Sequence, residues 1–342
     1  MRILVTGHCG YIGALLVPRL LAAGHEVHGL DSDLYESCTF GRLNVRVPAL
    51  RKDLRDVEPE DVRGFDAVAH LAALSNDPLG DLNPELTFEI NHLATVRLAE
   101  MARAEGVERF VFSSSCSNYG ASGDELIDED ASFHPVTPYG RSKVLAERDL
   151  QQLADDSFSP ILLRNATAFG ASPRIRFDLV VNNLVCWAHT TGFVKLKSDG
   201  RAWRPLVHVE DICSALLAVL EAPRQRVHNR AFNVGRTQEN YTILDVAEIV
   251  RETVPDSRLE VAGGAVTDPR NYRVSCDRIA QEVPAFDPLW TVRRGAEQVL
   301  AAVKREGLGL EEFEGARYAR VPQLRLLLSQ GRLDETLRRV AR

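Results

Sequence analysis

Tyr139 and Lys143 stand four residues apart in Tyr139-Gly140-Arg141-Ser142-Lys143, at the start of a segment with helical periodicity. On a helix, that spacing puts both side chains on one face. An ammonium beside a phenol favours tyrosinate and lowers the tyrosine pKa, which makes the pair suited to taking a proton from a substrate hydroxyl. The chain holds only five lysines against 36 arginines, so a lysine kept at this place is consistent with a need for a compact ammonium. A second chemical feature lies at the N-terminus, in Gly7-His8-Cys9-Gly10-Tyr11-Ile12-Gly13. A short apolar run precedes it and a helical stretch follows. Glycines there avoid a Cβ clash at the turn, let the backbone approach a diphosphate, and let helix and strand pack closely. Asp31 follows 18 residues after Gly13, at the end of the next expected strand. A carboxylate there accepts from ribose hydroxyls and repels a 2′-phosphate, which favours NAD over NADP. Proton removal by Tyr139 would then accompany hydride transfer to the nicotinamide.

These residues need a frame that brings strand ends together. Strand-like runs fall at Arg2–Thr6, Glu26–Asp31, Ala67–Leu71, Arg109–Ser113 and Ile161–Arg164. Helical stretches fall at Tyr11–Ala23, Pro84–Glu105 and from Tyr139 onward. This alternation predicts an α/β fold with a Rossmann-type doubly wound parallel sheet. Beyond residue 170 the pattern loosens, with helices at Asp211–Leu220 and Ile243–Thr253. The expected division is a NAD-binding domain over 1–170, with return segments near 205–235, and over 171–342 a smaller interleaved substrate lobe with C-terminal helices. The last forty residues, rich in Arg and Leu, read as amphipathic helix packed on the body.

The chain has 342 residues, 45% hydrophobic and 26% charged, with a net charge of −7. No general basic field points to nucleic acid, and no apolar run is long enough for a bilayer span. The six cysteines are scattered without a Cys-x-x-Cys pair, so neither a disulfide frame nor a metal site is expected, and the compartment reads as cytoplasmic.

The Gly-x2-Gly-x2-Gly spacing resembles that of the extended short-chain dehydrogenase/reductase family, and the likeness runs through nearly the whole chain. Lys52-Asp53-Leu54-Arg55-Asp56 is similar to that family's adenine-contacting segment, which implies Asp53 near the adenine amino group and Leu54 beside it. His70-Leu71-Ala72-Ala73 resembles its cofactor-lining strand, with Leu71, Ala72 and Ala73 at the cofactor. Asn91 matches a structural asparagine. The segment Phe112 to Gly120 resembles the one that supplies a third catalytic hydroxyl, which falls on Ser115.

The resemblance also separates reactions. Members that are 4,6-dehydratases carry an Asp-Glu pair after that hydroxyl, whereas here Cys116 and Ser117 follow. Ser117 is close to the threonine of 4-epimerases and is expected to meet the substrate. Cys116 reads as a buried structural cysteine. Trp203 to Asp211 resembles a family motif that places Arg204 on a substrate diphosphate, although Pro205 replaces the usual aspartate. His208 in that motif reads as structural. Asn182 and Asn183 match diphosphate-contacting positions. A late arginine of the same kind falls on Arg270 or Arg273, with Arg273 preferred. Thr167 stands where 4-epimerases carry asparagine. The implied activity is NAD-dependent epimerisation of a nucleotide-diphosphate sugar at C4 through a transient keto sugar, by a homodimer. The alternatives are a nucleotide-sugar dehydrogenase, ketoreductase or 4,6-dehydratase, and, in another class, a non-catalytic dinucleotide sensor.

Overall fold

The computed structural model describes residues 1–43, 45–75, 83–266 and 270–340. Seven of its strands form one parallel sheet. In chain order the strands are β1 (Arg2–Thr6), β2 (Glu26–Leu30), β3 (Ala49–Leu50), β4 (Ala67–His70), β5 (Arg109–Ser115), β6 (Ala121–Ile127), β7 (Ser159–Asn165), β8 (Thr167–Phe169), β9 (Phe193–Ser198), β10 (Trp203–His208), β11 (Arg230–Val234), β12 (Asn240–Thr242), β13 (Arg258–Val266) and β14 (Asn271–Val274). The main longer helices are α1 (Gly13–Ala22), α2 (Ala94–Ala104), α3 (Pro138–Gln152), α4 (Val180–Thr191), α5 (Val209–Glu221), α6 (Ile243–Thr253), α7 (Val292–Glu306) and α8 (Arg320–Ser329). The large sheet runs β11-β7-β5-β4-β1-β2-β3, so the chain leaves β1 in one direction and returns in the other. That reversal makes the doubly wound topology, with a crevice at the carboxyl ends of the central strands.

Central strands buried on both faces read as continuous apolar runs, as Ile3, Leu4 and Val5 do here. One face packs α1 and α5 through residues such as Leu16, Leu20, Leu216 and Val219. The other face packs α2 and α3 through Leu98, Ala102, Ala146 and Leu150. The second lobe has its own core, where α4, α6 and α7 meet around Leu184, Val246 and Val299. Three small sheets complete it: β12-β10-β8, β13-β9 and β14-β6. Pro205 fits inside β10 where the strand changes partner, antiparallel to β12 up to Pro205 and parallel to β8 from Leu206.

Three expected elements differ. The first helix starts at Gly13, not Tyr11, because residues 7–12 form the turn. The stretch expected as one helix over Pro84–Glu105 is broken by a wide π turn over Glu89–Leu93 that carries Asn91 inward. There the Asn91 amide clamps the backbone of Leu74, donating to its carbonyl at 3.0 Å and accepting from its N–H at 2.8 Å. The C-terminal stretch is helical only in part. After α8 the chain turns at Gly331 (φ 62°), and residues 332–340 fold back as irregular chain with a bridge between Leu333 and Arg339. Among the described residues no helix is long and apolar enough to cross a membrane.

Candidate active site

The turn after β1 is shaped by its glycines. Gly7 has φ 73°, and a Cβ there would lie 2.8 Å from the Ala72 nitrogen. A Cβ on Gly13 would lie 2.3 Å from the Gly7 carbonyl oxygen, so α1 could not start so close to β1 with any larger residue. The tip is anchored from two sides. Cys9 N–H donates to Asp31 at 2.9 Å, and Asp33 N–H donates to the other Asp31 oxygen at 2.7 Å. The Tyr11 hydroxyl donates to the Gly170 carbonyl at 2.7 Å, which ties the turn to the second lobe.

This turn opens onto a cavity of about 620 Å³ that runs between the two lobes. Gly7, Gly10, Tyr11, Ile12 and Gly13 line it, as do Asp31, Asp53 and Leu54 and the strand-end residues Leu71, Ala72 and Ala73. Backbone donors, a carboxylate for ribose and apolar walls for the rings fit a dinucleotide. Asp53 is also engaged by Arg55, which donates to it from Nε at 2.9 Å and Nη2 at 2.8 Å. His8, Cys9 and Asp31 converge, with ligand atoms within 4.8 Å of one another. Burial, with Asp31 and Asp33 nearby, pushes the Cys9 thiol up to about 12, so the free thiol is held protonated.

Tyr139, Lys143, Ser115 and Ser117 all line the cavity. Helix α3 is well started, since Thr137 caps it by accepting from Gly140 N–H at 3.1 Å and Pro138 occupies its first turn. Lys143 Nζ donates to the Ser113 carbonyl at 2.7 Å and lies 5.9 Å from the centre of the Tyr139 ring. Burial pushes the Lys143 ammonium down to about 7. Ser115 ends β5, where its hydroxyl donates to the Ser117 hydroxyl at 3.1 Å.

Arg204, Arg270, Asn183 and Thr167 line the same cavity, together with Tyr272, over whose ring Arg204 lies at 5.5 Å. Arg204 is buried, and its guanidinium donates to the Arg270 carbonyl. Two expected substrate contacts lie elsewhere. Asn182 is wholly buried behind the wall, where its amide bonds Gly170 N–H and the carbonyls of Gly170 and Arg176. Arg273 points away from the cavity, over the Trp203 ring at 4.5 Å, and donates to the Asp124 carbonyl at 3.2 Å. Along β14 successive side chains alternate in direction, and Arg270, just before the strand, is the arginine at the cavity. Asp268 and Pro269, which precede it, lie outside the described residues.

A profile of the NAD dependent epimerase/dehydratase family matches residues 3–235. The chain belongs to that family. It is 32% identical over 331 residues to UDP-glucose 4-epimerase GEPI42 of Cyamopsis tetragonoloba, covering 87% of this chain and 92% of the relative. It is 29% identical over 336 residues to UDP-glucose 4-epimerase of Bacillus subtilis, covering 88% and 95%. Among solved structures it resembles MoeE5 in complex with UDP-glucuronic acid and NAD, with TM-score 0.77 and 26% identity over 89% of this chain and 99% of that one.

Several residues around this family member's cavity escaped the sequence reading. Beneath the strand ends lies a buried polar network. Glu147 accepts from Arg164 Nη2 at 2.8 Å and from Asn118 at 2.8 Å, and Ser114 donates to it as well. Arg164 reaches on to the Tyr119 hydroxyl, which donates to Asn233. Glu147 stands four residues after Lys143 on the same helix face, a spacing that could have signalled it. Lys195 and Lys197 on β9 line the cavity too, so two of the five lysines were a readable sign. Cys116 is fully buried with its thiol on the Arg164 carbonyl, and burial pushes its pKa up, away from a nucleophile. His208 stacks on Trp290 at 3.9 Å and caps α5, and burial pushes it down to about 4. It sits in the packing of the second lobe.

Proposed function

We propose that the protein is a NAD-dependent epimerase of a nucleotide-diphosphate sugar, acting at C4 through a transient keto sugar. The observation that carries this reading is that one cavity gathers three sets of groups. The glycine turn and Asp31, the trio Tyr139, Lys143 and Ser115, and the set Arg204, Arg270 and Asn183 all line it.

Asp31 would accept from the adenosine ribose hydroxyls, and the N–H groups of the turn would face the diphosphate. Bound NAD would supply a hydride acceptor and donor beside Tyr139, Lys143 and Ser115. Tyr139 would remove the proton from the C4 hydroxyl and later return it, with Lys143 favouring the tyrosinate and Ser115 sharing the proton. Arg204 and Arg270 would hold the sugar nucleotide's diphosphate through forked donors, which leaves the sugar free to turn over between the two proton steps. Cys116 and Ser117 offer no acid–base pair for eliminating water, which favours epimerisation over 4,6-dehydration. We further propose a cytoplasmic homodimer joined through α2 and α3. Leu93, 59% exposed beside α2, supports that face.

Incubation with a panel of nucleotide sugars, followed by chromatography, tests the reading. A pair of C4 epimers should interconvert, and a 4-deuterated substrate should give product still labelled at C4. Label lost to water, or a 4-keto-6-deoxy product, would replace this mechanism.

A further inference from the structure

Arg320 is a buried cation with no acidic partner. It opens α8, lies beyond the segment matched by the family profile, and is 7% exposed. Its Nη2 donates to the Arg174 carbonyl at 3.1 Å, and its guanidinium sits 4.2 Å from the centre of the Tyr35 ring. Its Nη1 has no hydrogen-bond partner. Four other buried arginines are paired with carboxylates: Arg55 with Asp53, Arg164 with Glu147, Arg174 with Asp33 and Arg176 with Asp178. Among the described residues no salt bridge joins Arg320 to a carboxylate, and Asp178, the acidic group that acts on it, is bonded by Arg176 at 2.6 Å. A buried charge left unpaired is costly, so its retention calls for an anion.

The surroundings say which anion. Arg320 lines the main cavity. The Arg174 segment that it touches is tied to the glycine turn, since Ser172 donates to the Tyr11 carbonyl at 2.8 Å. Tyr35 follows Asp31, whose carboxylate holds Cys9 of the same turn. The N–H groups of the turn are neutral, whereas a dinucleotide diphosphate carries two negative charges. The chain after α8 covers this region as well. Leu337 lines the cavity, Arg339 donates to the Ser32 carbonyl at 3.1 Å and the Asp33 carbonyl at 2.6 Å, and Arg55 donates to the Thr336 carbonyl at 2.8 Å.

We propose that Arg320 binds the diphosphate of the dinucleotide, and that the C-terminal segment is a wall of the cofactor site which slows its release. This rests on the reading that the cavity holds NAD.

The test uses the full chain stripped of cofactor, with calorimetric titration of NAD+, ADP-ribose, adenosine and UDP-glucose. Arg320→Gln should weaken NAD+ and ADP-ribose about ten- to a hundredfold, the range of a charge-assisted contact. Adenosine and UDP-glucose should change less than about twofold by the same reasoning. Arg320→Gln should also raise the melting temperature of the empty protein, because it removes the unpaired buried charge, and should speed NAD release. Arg320→Lys, which keeps the charge, should recover part of the affinity and guards against a folding defect. NAD+ affinity unchanged in Arg320→Gln, or a loss confined to UDP-glucose, overturns the inference and leaves the epimerase reading standing. Failure of the wild-type chain to bind NAD+ overturns both.

Discussion

Glu147 and Arg164 form a buried ion pair directly behind the carboxyl end of β5, with Arg164 Nη2 2.8 Å from Glu147 Oε2 and the side chains 1% and 5% exposed, respectively. The pair joins α3, which carries Tyr139 and Lys143, to β7 next to the strand that carries Ser115. It fixes the distance between the elements that supply the three groups.

Removing one partner strands the other charge in the interior. Glu147→Leu should therefore lose about 3–5 kcal/mol of stability, read as a shift in the urea midpoint. Replacing both partners, Glu147→Leu with Arg164→Leu, should recover a good part of that loss. A single variant as stable as wild type would mean that the pair is open to water in solution.

Tyr139→Phe keeps the ring and its packing and removes the phenolic oxygen. It should fold, bind NAD, and lose activity by roughly 10²–10⁴-fold, the usual worth of a positioned acid–base group. Steady-state kinetics with an interconverting sugar-nucleotide pair check this. Activity within tenfold of wild type would move the proton to another group.

Lys143 carries a pH signature that needs no turnover. Burial pushes it down to about 7 in the folded chain, whereas it titrates near 10.4 when unfolded. Between those values the unfolded chain binds more protons, so stability rises with pH through the window. Below pH 7 both states are protonated and the burial penalty is fully present. Lys143→Met removes it, so the variant's advantage in the cofactor-stripped protein should be largest below pH 7 and shrink toward pH 10. Urea unfolding across that range measures it. Parallel curves for the two proteins would show that Lys143 is solvated.

Arg204→Ala and Arg270→Ala should each raise KM strongly, because each contact to a diphosphate is worth roughly 1.5–3 kcal/mol, about ten- to a hundredfold. A looser sugar should lower kcat as well. Arg273→Ala should leave both constants within about twofold, since its side chain packs on Trp203 outside the cavity. An effect confined to Arg273 would reverse the assignment.

Local chemistry was legible in the sequence. The glycine turn, the Tyr-x3-Lys pair and the strand-helix alternation each depend on residues a few positions apart, where backbone geometry ties spacing to placement. The residues of the first half that line the cavity followed from the order of short motifs there. What lay between distant segments did not. Arg176 meets Ser75, 101 residues away, and Arg320 meets Arg174, 146 residues away. No local pattern records such a meeting, because it arises when one lobe closes over the other. The same reason governs Asn182 and Arg273, which suit a diphosphate by type. Packing turned the Asn182 amide into the backbone of the second lobe and laid Arg273 on a tryptophan, and strand direction set Arg270 at the cavity in its place. Residue types and short spacings determined the chemistry that this chain can do. Only the packing of distant elements decided which of several suitable cations reach it, since a charged side chain goes where burial, partners and backbone direction together allow.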